Sequence, residues 1–147
     1  MFLEYWDNPR ATEESFKDGW FCTGDVAVWE DGYYRIMGRS SVDIIKSGGY
    51  KLSALEIEGV LLTHDDIAEV AVIGVPDDTW GEAVTAFIGL KEGASLEYAD
   101  LKNWCEGRMS SYKIPKDIKL VDALPRNAMG KVNKKQLVAD LFPADSL

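Results

Sequence analysis

Two runs rich in β-branched and apolar residues, IAEVAVIGVPD at 67–77 and EAVTAFIGLK at 82–91, are separated only by a short loop holding Trp80-Gly81. Runs of this kind suit buried strands, because branched side chains pack well on a pleated surface. Strands buried in this way require other elements to cover them, and the flanking sequence supplies candidates. Ser53-Ala-Leu-Glu56 matches a capping box ahead of the apolar positions Leu55, Ile57, Val60 and Leu61, which predicts a helix over 54–63. Leu101, Trp104 and Cys105 recur at helical spacing, which predicts a second helix from Leu96 to about Met109. Pro115 stops any continuation, Ile118 to Val121 suits a short strand, and Asn133 is placed to cap a last helix from Lys134 to Leu141. From Ile44 onward the expected order is helix, two strands, helix, strand, helix: a small α+β unit with its own core.

The first forty residues read differently. Phe2 to Trp6 has the aromatic content of a strand, Asn8-Pro9 marks a turn, and a short helix is expected from about Ala11 to Phe16. The segment VAVWEDGYYRIMGR alternates around Asp31-Gly32, a strong hairpin signal with strands near 25–30 and 33–38. One helix and one hairpin with many aromatics do not make a second core, so this part reads as the edge of something larger. The boundary is expected at Arg39 to Asp43. The segment RSSVDIIKSGGYKLS that follows is polar and glycine-bearing and reads as a loop.

Composition closes off several functions. No apolar run approaches the ~20 residues needed to span a bilayer. The first residues, MFLEYWDNPR, show neither a secretory leader nor a transit peptide. Cys22 and Cys105 have no metal-ligand spacing, and with His64 as the single histidine a zinc site is not expected. Two unpaired thiols fit a soluble protein of a reducing compartment. The formal net charge of −9 argues against nonspecific nucleic-acid binding. Within residues 108–135, however, eight basic residues (Arg108, Lys113, Lys116, Lys119, Arg126, Lys131, Lys134 and Lys135) face only Asp117 and Asp122. A basic block in an acidic chain fits a polyanionic small ligand such as a nucleotide or CoA, and equally a solvated basic face.

Three motifs carry chemistry. In Gly19-Trp-Phe-Cys-Thr-Gly-Asp25 a carboxylate follows a Thr-Gly turn, where it could accept hydrogen bonds from a ribose diol or cap a turn before a strand. In Gly38-Arg-Ser-Ser-Val-Asp-Ile-Ile-Lys-Ser-Gly-Gly-Tyr-Lys51, Arg39 offers a planar fork for sugar or phosphate oxygens. The pair Gly48-Gly49 suits a narrow channel or an ordinary turn. No GxxxxGK[ST] phosphate loop occurs. In Pro125-Arg-Asn-Ala-Met-Gly-Lys131 a proline-led loop presents the Lys131 ammonium just before a helix. At ~4 Å from an anionic oxygen and an effective dielectric of ~20 such a charge is worth roughly 4 kcal/mol, about a thousandfold in rate if it acts only in the transition state.

Taken in order, GWFCTGD, GRSSVDIIKSGGYKLSALEIE and LPRNAMGKVNKKQL resemble the last three signature motifs of the adenylate-forming superfamily of acyl-CoA synthetases, luciferases and peptide-synthetase adenylation domains. The resemblance covers essentially the whole chain, and SVDIIKSGGYKLSALEIE looks closest to malonate-CoA ligases, mitochondrial enzymes that activate malonate and methylmalonate. It implies the end of a large N-terminal domain at 1–39, a hinge at 40–43 and a small C-terminal mobile domain at 44–147. It also implies a two-step reaction: carboxylate and ATP give acyl-AMP and pyrophosphate, then CoA displaces AMP.

By the same resemblance Asp25 and Arg39 bind the AMP ribose, and Lys131 is the catalytic residue of adenylation. The Lys46, Gly48 and Gly49 segment serves the CoA step, and the hinge falls at Val42 or Asp43. Compared with the family pattern, Arg39-Ser-Ser-Val-Asp43 carries one extra residue, and counting back from Lys51 places Val42 at the hinge. ATP or AMP, CoA and Mg belong to the complete enzyme, with no cofactor intrinsic to this chain. Expected partners are a small carboxylate, ATP, CoA and the large domain of the same polypeptide, with no nucleic acid and no membrane span, in a mitochondrial or cytoplasmic setting. The chain ends sixteen residues after Lys131, which suits a CoA ligase better than a peptide synthetase followed by a carrier domain. Alone it is expected to be inactive; the contrasting expectation is a non-catalytic regulatory or partner-binding module derived from this domain.

Overall fold

The structure is a computed structural model and describes residues 3–141. Asn8 caps α1 (Pro9–Glu14), its side chain accepting a hydrogen bond from the Ala11 amide at 3.0 Å. The helix begins two residues before the expected Ala11, because Pro9 is preorganised for a first helical position and needs no amide partner there. It also ends earlier, and Phe16 instead opens β1 (Phe16–Lys17), which pairs antiparallel with β2 (Trp20–Phe21). The expected strand from Phe2 to Trp6 does not form over residues 3–6, where no sheet partner lies alongside, and Phe2 itself falls outside the described residues.

The hairpin expected around Asp31-Gly32 is present as β3 (Asp25–Glu30) and β4 (Tyr33–Arg39). Its two turn residues have φ of 50° and 85°, the left-handed pair that matches strand twist in a two-residue turn. Among the described residues up to Arg39 only Gly38 is buried, while Trp29, Tyr34 and Ile36 stand on one exposed face. This portion has no core of its own.

The core lies beyond it. Strands β7 (Ile67–Asp77) and β8 (Gly81–Leu90) pair antiparallel along almost their whole length. A second hairpin, β5 (Ile44–Ser47) and β6 (Tyr50–Ser53), joins the β8 edge to give the order β6-β5-β8-β7, and β9 (Asp117–Leu120) runs parallel to β8. The β5/β6 hairpin corrects the reading of this stretch as a loop. Only Ile45 and Leu52 carry large apolar side chains into the core, so each strand is too short to show alternation.

Helix α2 (Ala54–Leu61) starts at Ser53, whose Oγ accepts from the Glu56 amide at 3.2 Å. Helix α3 (Tyr98–Cys105) is shorter than the expected 96–109, because Glu106 leaves helical geometry and Gly107 turns the chain at φ 77°. Helix α4 (Lys134–Leu141) has the expected bounds, with the Asn133 side chain accepting from the Gln136 amide.

Both faces of the sheet are covered. Val70, Val72, Val84, Ala86 and Ile88 pack with Ile57 and Leu61 of α2 and with Leu101 and Cys105 of α3. Ala71, Ile73 and Phe87 point the other way and pack with Leu124 and with Leu137 of α4. Burial on two faces explains the near-continuous apolar runs in β7 and β8. Each fully buried Ile or Leu contributes about 1.5–3 kcal/mol relative to exposure. The result is a mixed α+β domain, with the short hairpin leading into it. No helix among the described residues is long and apolar enough to cross a membrane.

Candidate functional site

Asp25 opens β3 and Arg39 closes β4, and the hairpin register makes them direct partners. Arg39 Nε lies 3.0 Å from Asp25 Oδ1, and Arg39 Nη1 donates to the Thr23 carbonyl at 3.3 Å. The Thr23 hydroxyl in turn accepts from the Asp25 amide, with Gly24 at φ 78° between them. The turn and the arginine together aim one carboxylate. Both side chains keep substantial exposure, 37% for Asp25 and 62% for Arg39. A carboxylate has acceptor sites for more than one donor, so a diol could bond to Asp25 while Arg39 holds it.

Just beyond β4 the chain turns back, and Asp43 becomes a buried node. Its Oδ2 accepts from the Arg39 amide at 2.9 Å, and its Oδ1 accepts from Lys134 Nζ at 2.6 Å. Lys134 also lies 2.7 Å from Glu58 Oε1, which accepts from the Val72 amide. All three side chains are nearly enclosed, at 10%, 10% and 13% exposure for Lys134, Asp43 and Glu58. Burial pushes the Glu58 carboxyl above the usual glutamate range, against the opposing pull of Lys134. Such a cluster is costly to desolvate, and removal of its one cation would leave two buried carboxylates facing each other. Neighbouring Val42 is half-buried, its amide donating to the Arg39 carbonyl at 3.3 Å.

Lys131 sits on a closed loop. Arg126 and Val132 form an isolated antiparallel bridge, and Asn127 organises what lies between. Its Oδ1 accepts from the amides of Met129 and Lys131, both at 3.0 Å, while its own amide donates to the Lys131 carbonyl at 2.8 Å. Arg126 donates to the Gly130 carbonyl and to Glu69 of β7, fastening the loop to the sheet. The Lys131 side chain is left exposed at the loop end.

These pieces converge. Arg39, Val42, Asp43, Glu58, Lys131 and Lys134 line one open groove of ≈580 Å³. The structure therefore brings Arg39, the expected hinge and Lys131 together, with Asp25 attached through Arg39. Lys46, Gly48 and Gly49 do not line this groove. Lys46 lies in β5 rather than in a loop, its amide donating to Glu82 Oε2, and Gly48-Gly49 is the β5/β6 turn with φ of 56° and 83°. Gly48 donates to the Trp80 carbonyl at 2.8 Å, and a Cβ there would come within 3.2 Å of the indole.

The sequence reading missed Glu58, Glu69, Asn127 and the specific part of Lys134. Asn127 was visible inside the quoted motif, and Lys134 inside the basic block. The two glutamates had no local signal, because Glu69 meets its partner Arg126 57 residues later. His64 has an ordinary packing role, its Nδ1 accepting from the Asp66 amide and its ring lying 4.8 Å from Trp104. Cys22 is exposed and Cys105 buried, and burial raises the Cys105 thiol. Among the described residues no group of three or more His, Cys, Asp or Glu side chains is placed to hold a metal ion.

A hairpin arginine, a short connector and a loop lysine thus share one groove on a small α+β domain. The family of AMP-binding enzyme C-terminal domains matches residues 56–131, just over half of the chain, and the chain belongs to that family, within the adenylate-forming superfamily. It is 57% identical over 145 residues to the mitochondrial malonate–CoA ligase of Mus musculus, covering 98% of this chain and 25% of that protein. ATP-bound MatB from Rhodopseudomonas palustris superposes with a TM-score of 0.85 at 37% identity, over 95% of this chain and 28% of the other. Apo MatB from the same organism gives 0.71 at 38% identity, over 97% and 28%. The chain spans about a quarter of the length of the curated relatives it matches.

Proposed function

We propose that this chain is the C-terminal part of an ATP-dependent acid–CoA ligase acting on malonate or methylmalonate, with residues 1–39 ending the large domain, 40–43 forming the hinge and 44–147 the mobile domain. In the first half-reaction a carboxylate oxygen attacks the α-phosphorus of ATP and pyrophosphate leaves. In the second, the CoA sulfur attacks the acyl carbon, its thiol proton is lost, and AMP leaves.

The observation that carries this reading is the shared groove. Lys131, whose ammonium is exposed, opens onto the same cleft as Arg39, and Arg39 is bonded to Asp25. Asp25 then accepts from the ribose hydroxyls, Arg39 supports the same sugar, and Lys131 neutralises charge developing on the carboxylate and phosphate oxygens. The better superposition on ATP-bound than on apo MatB supports assigning the present arrangement to adenylation. In the CoA step the hinge turns, Lys131 withdraws, and the Gly48-Gly49 turn takes its place with Lys46 beside it. High identity to proteins named malonate–CoA ligase supports the acyl substrate, and their mitochondrial naming supports a mitochondrial parent.

Lys131→Ala in the full-length parent tests the assignment. Pyrophosphate release from ATP and malonate should fall about a thousandfold. Formation of malonyl-CoA from supplied malonyl-AMP should persist. Equal damage to both half-reactions would remove Lys131 from the first step.

A further inference from the structure

The Asp43 carboxylate has one oxygen on each side of the connector. Oδ2 accepts from the backbone amide of Arg39, the last residue of β4, and Oδ1 accepts from Lys134 at the start of α4, three residues after Lys131. The Asp43 carbonyl accepts from the Ala54 amide at 2.8 Å, so Asp43 is built into the sheet-and-helix domain. Val42, by contrast, has an apolar side chain with nothing to bond. A swivel at Val42 would leave the Lys134–Asp43 and Lys134–Glu58 pairs intact and break the Arg39–Asp43 bond.

We propose that Lys134 is a positioning residue that latches the connector in one arrangement, holding the Asp43 carboxylate so that it grips the Arg39 amide while the loop bearing Lys131 faces the groove. This rests on the two-step reading above. A bond made in only one of two arrangements biases their equilibrium by its differential strength, so the latch favours adenylation and must open for the CoA step. Lys134 takes this task through its neighbours: it acts through Asp43 on Arg39, and through its own short chain distance on Lys131. Gly38 is part of the device, because a Cβ there would lie 2.4 Å from the Asp43 Cβ.

The test is Lys134→Met in the full-length parent, with Lys134→Arg as the conservative variant. Pyrophosphate release without CoA should fall on the order of 10²-fold, the cost of a misplaced catalytic geometry. Transfer of the acyl group from supplied acyl-AMP to CoA should stay within about twofold, as expected for loss of an interaction used in one step only. Lys134→Arg should restore most of the first step. Amide exchange across residues 39–43, measured by mass spectrometry in the presence of ATP, should quicken in Lys134→Met.

Parallel losses in both half-reactions, or exchange at 39–43 equal to wild type, would overturn the latch. If Lys134→Met does not fold, Lys134→Met with Glu58→Gln, which leaves one buried carboxylate instead of two, is put through the same comparison. A wild-type parent that releases no pyrophosphate with any carboxylate would refute the ligase reading instead, and the exchange comparison would still decide the latch.

Discussion

Gly38 has φ of 122°, and the space where its side chain would be is filled by Asp43. Alanine there meets a backbone angle that L-residues rarely adopt and a neighbour held by three hydrogen-bonded partners. Gly38→Ala should therefore destabilise the protein by about 2–4 kcal/mol, combining backbone strain with overpacking. A urea unfolding midpoint equal to wild type would show that the close approach to Asp43 is not required. At this scale the sequence was informative about residue types and silent about partners. Arg39, Asp25 and Lys131 were legible as members of ordered motifs. That Asp43 is buried and shared between the Arg39 amide and Lys134 was not, since Asp43 and Lys134 are 91 residues apart.

The β5/β6 hairpin sets the environment of Gly48 and Gly49. Gly49 has nothing within 4 Å of a would-be Cβ, so the space beside it is open, although its φ of 83° favours glycine. Gly49→Leu in the parent should project into that space and slow acyl transfer to CoA on the order of 10-fold or more, with adenylation nearly unchanged, as for a residue used in one step. Stopped assays of each half-reaction check this, and an unaltered CoA step would sink the assignment of the turn to CoA. Elements with local signals matched well: Ser53 and Asn133 cap helices where expected, and Asp31-Gly32 turns the hairpin. The β5/β6 strands had no such signal. Four residues each, with one large apolar core contact apiece, they are held by pairing with each other and with the β8 edge.

Across the whole molecule, the portion up to Arg39 presents exposed aromatics and no core, and Lys131 opens onto a groove with one side made by the connector. The 147-residue chain by itself should give no detectable pyrophosphate with ATP and a panel of carboxylates, and adding CoA should not change that. Turnover by the isolated chain would contradict the need for a large domain. What the sequence determined unaided was the element types with their own periodicity or caps, and the motif residues whose order is distinctive, because both are written within a few residues of chain. Only the tertiary structure decided that Asp25 and Arg39 face each other, and that Asp43, Glu58 and Lys134 form one buried cluster. It alone showed Lys131 and Arg39 sharing a groove while Gly48 and Gly49 lie outside it. Those facts depend on which distant segments the sheet and its two cores bring into contact, and no local pattern encodes a distance.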